Sequence, residues 1–97
     1  MLNQKIRPLW YVADMDAVLA ACNSREEALA WCQGYTDDRR TAPFIDRLSI
    51  GLYAYTGPAN AGPGSSKTYW YGTREAMIFN GFNIHIAEFE KKSEVLS

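Results

Sequence analysis

Ser24 and Glu27 stand three residues apart at the head of an apolar repeat, and from Phe44 onward the repeat changes its period. The first pair has the spacing of a capping box, with Glu26 also placed in the favourable first turn. Ala28, Leu29, Cys32 and Tyr35 then recur at helical spacing, and Gly34 can supply a left-handed stop. The spacing predicts a helix over about 24–35, with Trp31 toward the edge of its apolar face. From Phe44 the apolar residues fall two apart. Phe44, Leu48, Ile50, Leu52 and Ala54 take one side, while Arg47, Ser49, Gly51, Tyr53 and Tyr55 take the other. A helical period and a strand period within 97 residues leave room for one small α+β domain, 1–97, and little else.

Around these anchors the reading branches. "LWYVAD" suits a strand, and "AVLAACN" is either a second strand reached through the turn "DMD" or two further helical turns capped by Asp16. "TDDRRTAP" is a polar connector. "TGPANAGPGSSK", 56–67, carries three glycines and two prolines and reads as a flexible or partner-ordered loop. It lacks the Walker pattern, since Ser66 rather than Gly stands directly before Lys67 and no helix clearly opens after it. Asn80-Gly81 between alternating apolar residues predicts a two-residue hairpin, with Phe79 facing Phe82 and Met77 facing Ile84. Its second strand runs over 82–90. Its first extends back through "KTYWYG", with Gly72 as a bulge or bend. A short helix over 73–80, capped by Thr73, is the rival for that segment, and 91–97 reads as a frayed tail. The expected architecture is a twisted antiparallel sheet of three to five strands, including the Asn-Gly hairpin, with one principal helix packed on one face.

Composition excludes more than it selects. A net charge of -1 gives no pull toward nucleic acid or an anionic membrane. No stretch reaches the ~18 apolar residues of a membrane span, and the N-terminus lacks the apolar middle of a signal peptide, so a cytoplasmic setting is expected. Cys22 and Cys32 fit no metal-ligand spacing; they read as free thiols packed as small hydrophobes, open to joining on oxidation if strand and helix bring them together. His85 is the one histidine, too few for a multi-histidine metal site, and reads as a half-exposed strand residue beside Ala76. The acidic pairs Asp14/Asp16 and Asp37/Asp38 have no calcium-loop spacing. Neither a cofactor nor a metal is expected.

Aromatic residues make up 13% of the chain and crowd its later strands. If the Leu48–Ile50–Leu52 stripe meets the helix, Tyr53 and Tyr55 face solvent or a partner, and with Tyr69, Trp70 and Tyr71 they make an aromatic cluster that either stiffens the sheet or binds a partner. Asn60, Lys67 and Arg47 complete this candidate binding set. The leading expectation is a non-enzymatic protein that acts by contact with a larger protein partner and itself forms a homodimer. In size and type it resembles the small accessory proteins of phages and mobile elements. That resemblance implies inhibition or modulation of a host defence or nucleic-acid-processing enzyme. The alternative is a small-ligand or single-strand nucleic-acid module stacking on the same face, although sparse basic residues disfavour nucleic acid. A small enzyme using His85 comes third.

Overall fold

The computed structural model describes residues 9–59 and 64–96, and Asn60 therefore lies outside the described residues. Strands β1 (Trp10–Ala13) and β2 (Val18–Cys22) form the first hairpin. The Asp14 carboxylate closes it, accepting the backbone N–H groups of Asp16 and Ala17 at 2.8 and 2.9 Å. Helix α1 (Arg25–Thr36) follows. The Ser24 hydroxyl accepts the Glu27 N–H at 3.1 Å, and the Glu27 carboxylate reaches back to the Asn23 N–H at 3.0 Å. These bonds satisfy donors that the first helical turn would otherwise leave unpaired. The helix continues through Gly34 and stops at Asp37, which takes the left-handed conformation at φ 55.

Strands β3 (Phe44–Ser49), β4 (Leu52–Pro58) and β5 (Ser66–Thr73) complete one antiparallel sheet in the order β2-β1-β5-β4-β3. Helices α2 (Arg74–Met77) and α3 (Asn83–Leu96) close the chain. The molecule is a small α+β domain with a five-stranded antiparallel sheet, within the three to five strands expected.

Four expectations are corrected. The period-two run from Phe44 is two strands. Ser49 pairs with Leu52 across Ile50 and Gly51, and Gly51 supplies a positive φ of 78. The loop expected over 56–67 is shorter, because the ladder continues to Pro58 opposite Ser66 and the Ala59 N–H reaches the Ser65 carbonyl. Gly72 is neither bulge nor bend; Tyr11 and Leu52 pair with it in unbroken register.

The fourth correction has the most consequence. Asn80-Gly81 does not turn a hairpin. A type I′ turn needs positive φ at both residues, whereas Asn80 sits at φ -98 and Gly81 alone is positive, at 102. The pair instead kinks the helical segment Ile78–Phe82 that joins α3 to α2, the helix that Thr73 caps by accepting the Ala76 N–H at 3.2 Å. The Asn80 amide donates to the Ala76 carbonyl at 2.7 Å, satisfying a group the helix end would leave free. After this kink, Phe82, Ile86 and Phe89 follow at i, i+4 and i+7 and put one apolar stripe of α3 on the sheet.

Both faces of the sheet therefore have a roof. On one side Ala28 and Cys32 of α1 pack on Val12, Ala20, Cys22, Tyr55, Tyr69 and Tyr71. On the opposite side Ala76 and Met77 of α2 and Ile86 of α3 pack on Tyr11, Ala13, Val18 and Leu52. Tyr11 fastens this second layer: its ring meets Phe89 edge-on at 6.0 Å and its hydroxyl donates to Glu90 at 2.7 Å. Arg74 grips the same carboxylate at 2.8 and 3.2 Å.

Burial pushes the hydroxyl pKa of Tyr11 and of Tyr71 up to about 12, with the Glu90 carboxylate adding to the effect at Tyr11. Both values lie above the ~10 of an unfolded tyrosine, so the unfolded chain ionises first. Stability present below pH ~10 is thus lost as pH rises toward 12. A near-ultraviolet titration is expected to show a delayed phenolate phase near pH 12, coinciding with alkaline unfolding. A single transition near 10 for all the tyrosines would contradict this packing.

Candidate interaction surface

Face assignment decides where a partner could touch the protein. Tyr53 and Tyr55 were expected opposite the face that meets the first helix, yet they lie beneath it. The turn at Ile50–Gly51 breaks the phase that assigned them, and the sheet partners Tyr53↔Tyr71 and Tyr55↔Tyr69 join them in one layer. Tyr55 is 0% exposed and Tyr71 2%; Tyr69 is also buried, while Tyr53 and Trp70 are half-buried. Tyr53 stacks on Tyr71 at 5.3 Å and accepts a hydrogen bond from Arg25 at 2.9 Å. Lys67 and Arg47 are exposed, Lys67 standing 5.4 Å over the Tyr69 ring.

The hydroxyl of Tyr55 is consumed internally. It donates to the Asp38 carboxylate, lies 2.8 Å from the Thr36 hydroxyl, and so joins α1 to β4. Arg40 holds the same carboxylate through Nε at 2.8 Å and through Nη2, and donates onward to the Thr56 carbonyl at 2.9 Å. The Arg40 guanidinium, aided by Tyr55, holds the Asp38 carboxyl well below the usual carboxylate range. A lowered folded pKa means the unfolded state takes up protons first in acid. The contribution is therefore complete above pH ~4 and lost as pH falls below it. In urea titrations, Asp38→Asn is expected to be less stable than wild type at neutral pH. The gap should narrow steadily from pH ~4 downward; a constant gap would dissociate Asp38 from the acid limb.

What the molecule leaves in water lies elsewhere. Phe79 is 88% exposed, Ile50 82%, Met15 77% and Leu48 50%. The β3–β4 turn carries Ile50, and the kink after α2 carries Phe79. Asn80 holds the two together, donating to the Ser49 hydroxyl at 3.3 Å. Two shallow concavities adjoin there. One, of about 720 Å³, is lined by Ile50, Thr73, Ala76 and Phe79 together with Ser49 and Glu75. The other, of about 410 Å³, is lined by Met15, Leu48, Leu52, Trp70, Phe82 and His85. Asn80 borders both. Of the residues named from sequence as binding, Trp70 reaches this surface, 6.1 Å from Phe82.

His85 sits on α3 rather than on a strand, because the segment expected to pair with Ala76 is helical. Its Nδ1 is buried without a hydrogen-bond partner among the described residues, so no carboxylate among them orients that nitrogen as a general base would require. Cys22 and Cys32 are free and buried; desolvation pushes their thiols up to about 11 and 12, far from a reactive thiolate at neutral pH. Among the described residues no group of three His, Cys, Asp or Glu side chains could hold a metal ion, and no helix is long and apolar enough to cross a membrane.

Sequence reasoning passed over Ile50 and Phe79 as core residues. The usable signal was Gly51 inside a strand pattern, which marks a turn and turns Ile50 outward. The chain matches no family model, no curated protein and no solved structure.

Proposed function

We propose that this chain is a non-enzymatic binding protein that works by protein–protein contact, and that its interface is the surface formed by Met15, Leu48, Ile50 and Phe79. The observation that carries the reading is the exposure of three large apolar side chains beyond three quarters of their area, with Ile50 and Phe79 lining one concavity and Met15 the adjoining one. Contiguous apolar area on a small domain marks an interaction site far more often than scattered single residues do. The opposing possibility, stacking of bases or small ligands on the sheet tyrosines, has less support because Tyr55, Tyr69 and Tyr71, three of its four groups, are interior.

The role of a phage- or mobile-element-type accessory protein, inhibiting or modulating a larger host enzyme, is the finer part of this proposal. Its support is a ninety-seven-residue chain that places Ile50 and Phe79 in one concavity and Met15 and Leu48 in the adjoining one. A cytoplasmic setting belongs to the same reading, supported by two cysteines kept as free thiols.

Replacing Ile50 and Phe79 with Ser tests it. Both side chains are already in water, so the urea midpoint should move by no more than the equivalent of ~0.5 kcal/mol per site. A stoichiometric partner captured by the wild-type protein should be lost by the double variant. Retention of that partner, or a large loss of stability, would remove these residues from the interface.

A further inference from the structure

Charge narrows the partner, on the assumption that the surface just described is the contact site. Glu75 lines the same concavity as Ile50 and Phe79. Asp46 shares a sheet face with Leu48 on β3, and Asp16 follows Met15 at the β1–β2 turn. All three carboxylates are exposed, and none is in an ion pair among the described residues. Five of the described cations are engaged elsewhere, Arg39 with Asp37 among them, while Lys91 and Lys92 stand exposed on α3. Arg74 is held by Glu90, Arg40 by Asp38, and Arg25 and Lys67 lie over tyrosines on the α1 side. Arg47 pairs in register with Tyr53 and so projects to that side as well. Among the described residues, no Lys or Arg lines either concavity.

The surface thus has an apolar floor and an acidic rim. We infer that its occupant is a cationic amphipathic helix of a partner protein, an apolar stripe flanked by Lys or Arg. Leu52 and Trp70 on its floor belong to β4 and β5, interior strands already paired on both sides, so the floor itself offers no free ladder. An extended segment would lose solvation of its own N–H and C=O groups there, whereas a helix arrives with them already paired. The side chains spaced along its stripe fit two adjoining hollows, and its flanking cations meet Asp16, Asp46 and Glu75.

A second copy of the chain fits less well. An isologous contact would set this acidic rim against itself. Antiparallel pairing of the β3 edge about a two-fold axis places each residue opposite one on the same face. The two registers that engage most of the strand then put Asp46 opposite Asp46 or Arg47 opposite Arg47, which is repulsive.

Three designed peptides of about five helical turns, with the same leucine stripe and Lys, Gln or Glu on its flanks, test the inference by fluorescence anisotropy on the intact protein. The Lys peptide is expected to bind at micromolar concentration, about tenfold or more tighter than the Glu peptide, and to weaken as salt rises from about 0.05 to 0.5 M. Asp46→Lys with Glu75→Lys should reverse the order of preference. If Gln and Lys peptides bind equally, and Ile50→Ser with Phe79→Ser abolishes both, the surface stands and the charge inference is overturned. If no peptide binds, or the Lys peptide ignores the Ser variant, the surface reading falls with it. Light scattering that shows a wild-type dimer split by the Ser variant would assign the site to a second copy and overturn the inference.

Discussion

Gly72→Ala is expected to destabilise the protein by about 3 kcal/mol, read as a drop in urea midpoint at unchanged slope. Gly72 occupies β5, which lies between β1 and β4, where Tyr11 faces it on one side and Leu52 on the other. A Cβ there would come within 2.5 Å of the Gly51 carbonyl oxygen and 3.2 Å of the Leu52 Cα. These are backbone atoms at a turn, and they cannot rotate away as a side-chain tip could. The same crossing holds the Thr73 N–H to the Gly51 carbonyl at 3.0 Å, so displacing the turn also loosens the start of α2. The entropic gain of replacing glycine is at most about 1 kcal/mol and does not offset this. A change under ~0.5 kcal/mol would mean that β4 and β5 do not approach as described.

Tyr71→Ala should cost about 4 kcal/mol, in the range found for truncating a buried aromatic residue. Its ring stacks on Tyr53 at 5.3 Å and meets Trp10 at 6.5 Å, and the side chain packs against the cluster under α1. A tyrosine displayed on an open sheet face would lose a few tenths of that amount on truncation. The two readings therefore separate by several kcal/mol on one variant, measured by chemical unfolding. The effect should be in stability alone, since the ring is not available to a partner.

Much of the fold was legible because its signals are local. The Ser24–Glu27 box places α1 to within a residue, since capping is a contact between neighbours and needs no tertiary context. For the segment after Asp14 the sequence leaves strand and helix open, and the structure realises the strand, with the Asp14 carboxylate closing the turn. The later segment misleads because Phe82, Ile84 and Ile86 satisfy a strand period while Phe82, Ile86 and Phe89 satisfy a helical one. Packing on Tyr11 and Met77 selects the second, and nothing local to the segment does so. Asn-Gly serves as a hairpin turn or as a helix stop, and the choice follows from which of those periods is realised. The candidate site was less legible still. An exposed apolar residue looks in sequence like a core residue, and only the path of the chain reveals that Ile50 and Phe79 have nothing above them.

Hydroxyl-radical footprinting of the purified protein, read residue by residue by mass spectrometry, addresses the arrangement most directly. Phe79, Ile50 and Met15 should be oxidised at rates near those of the free amino acids, while Tyr55, Tyr71, Tyr11 and Met77 stay protected until the protein unfolds. Rapid modification of Tyr55 and Tyr71 together with protection of Phe79 and Ile50 would mean that the sheet is open where it is described as covered, and would contradict the account.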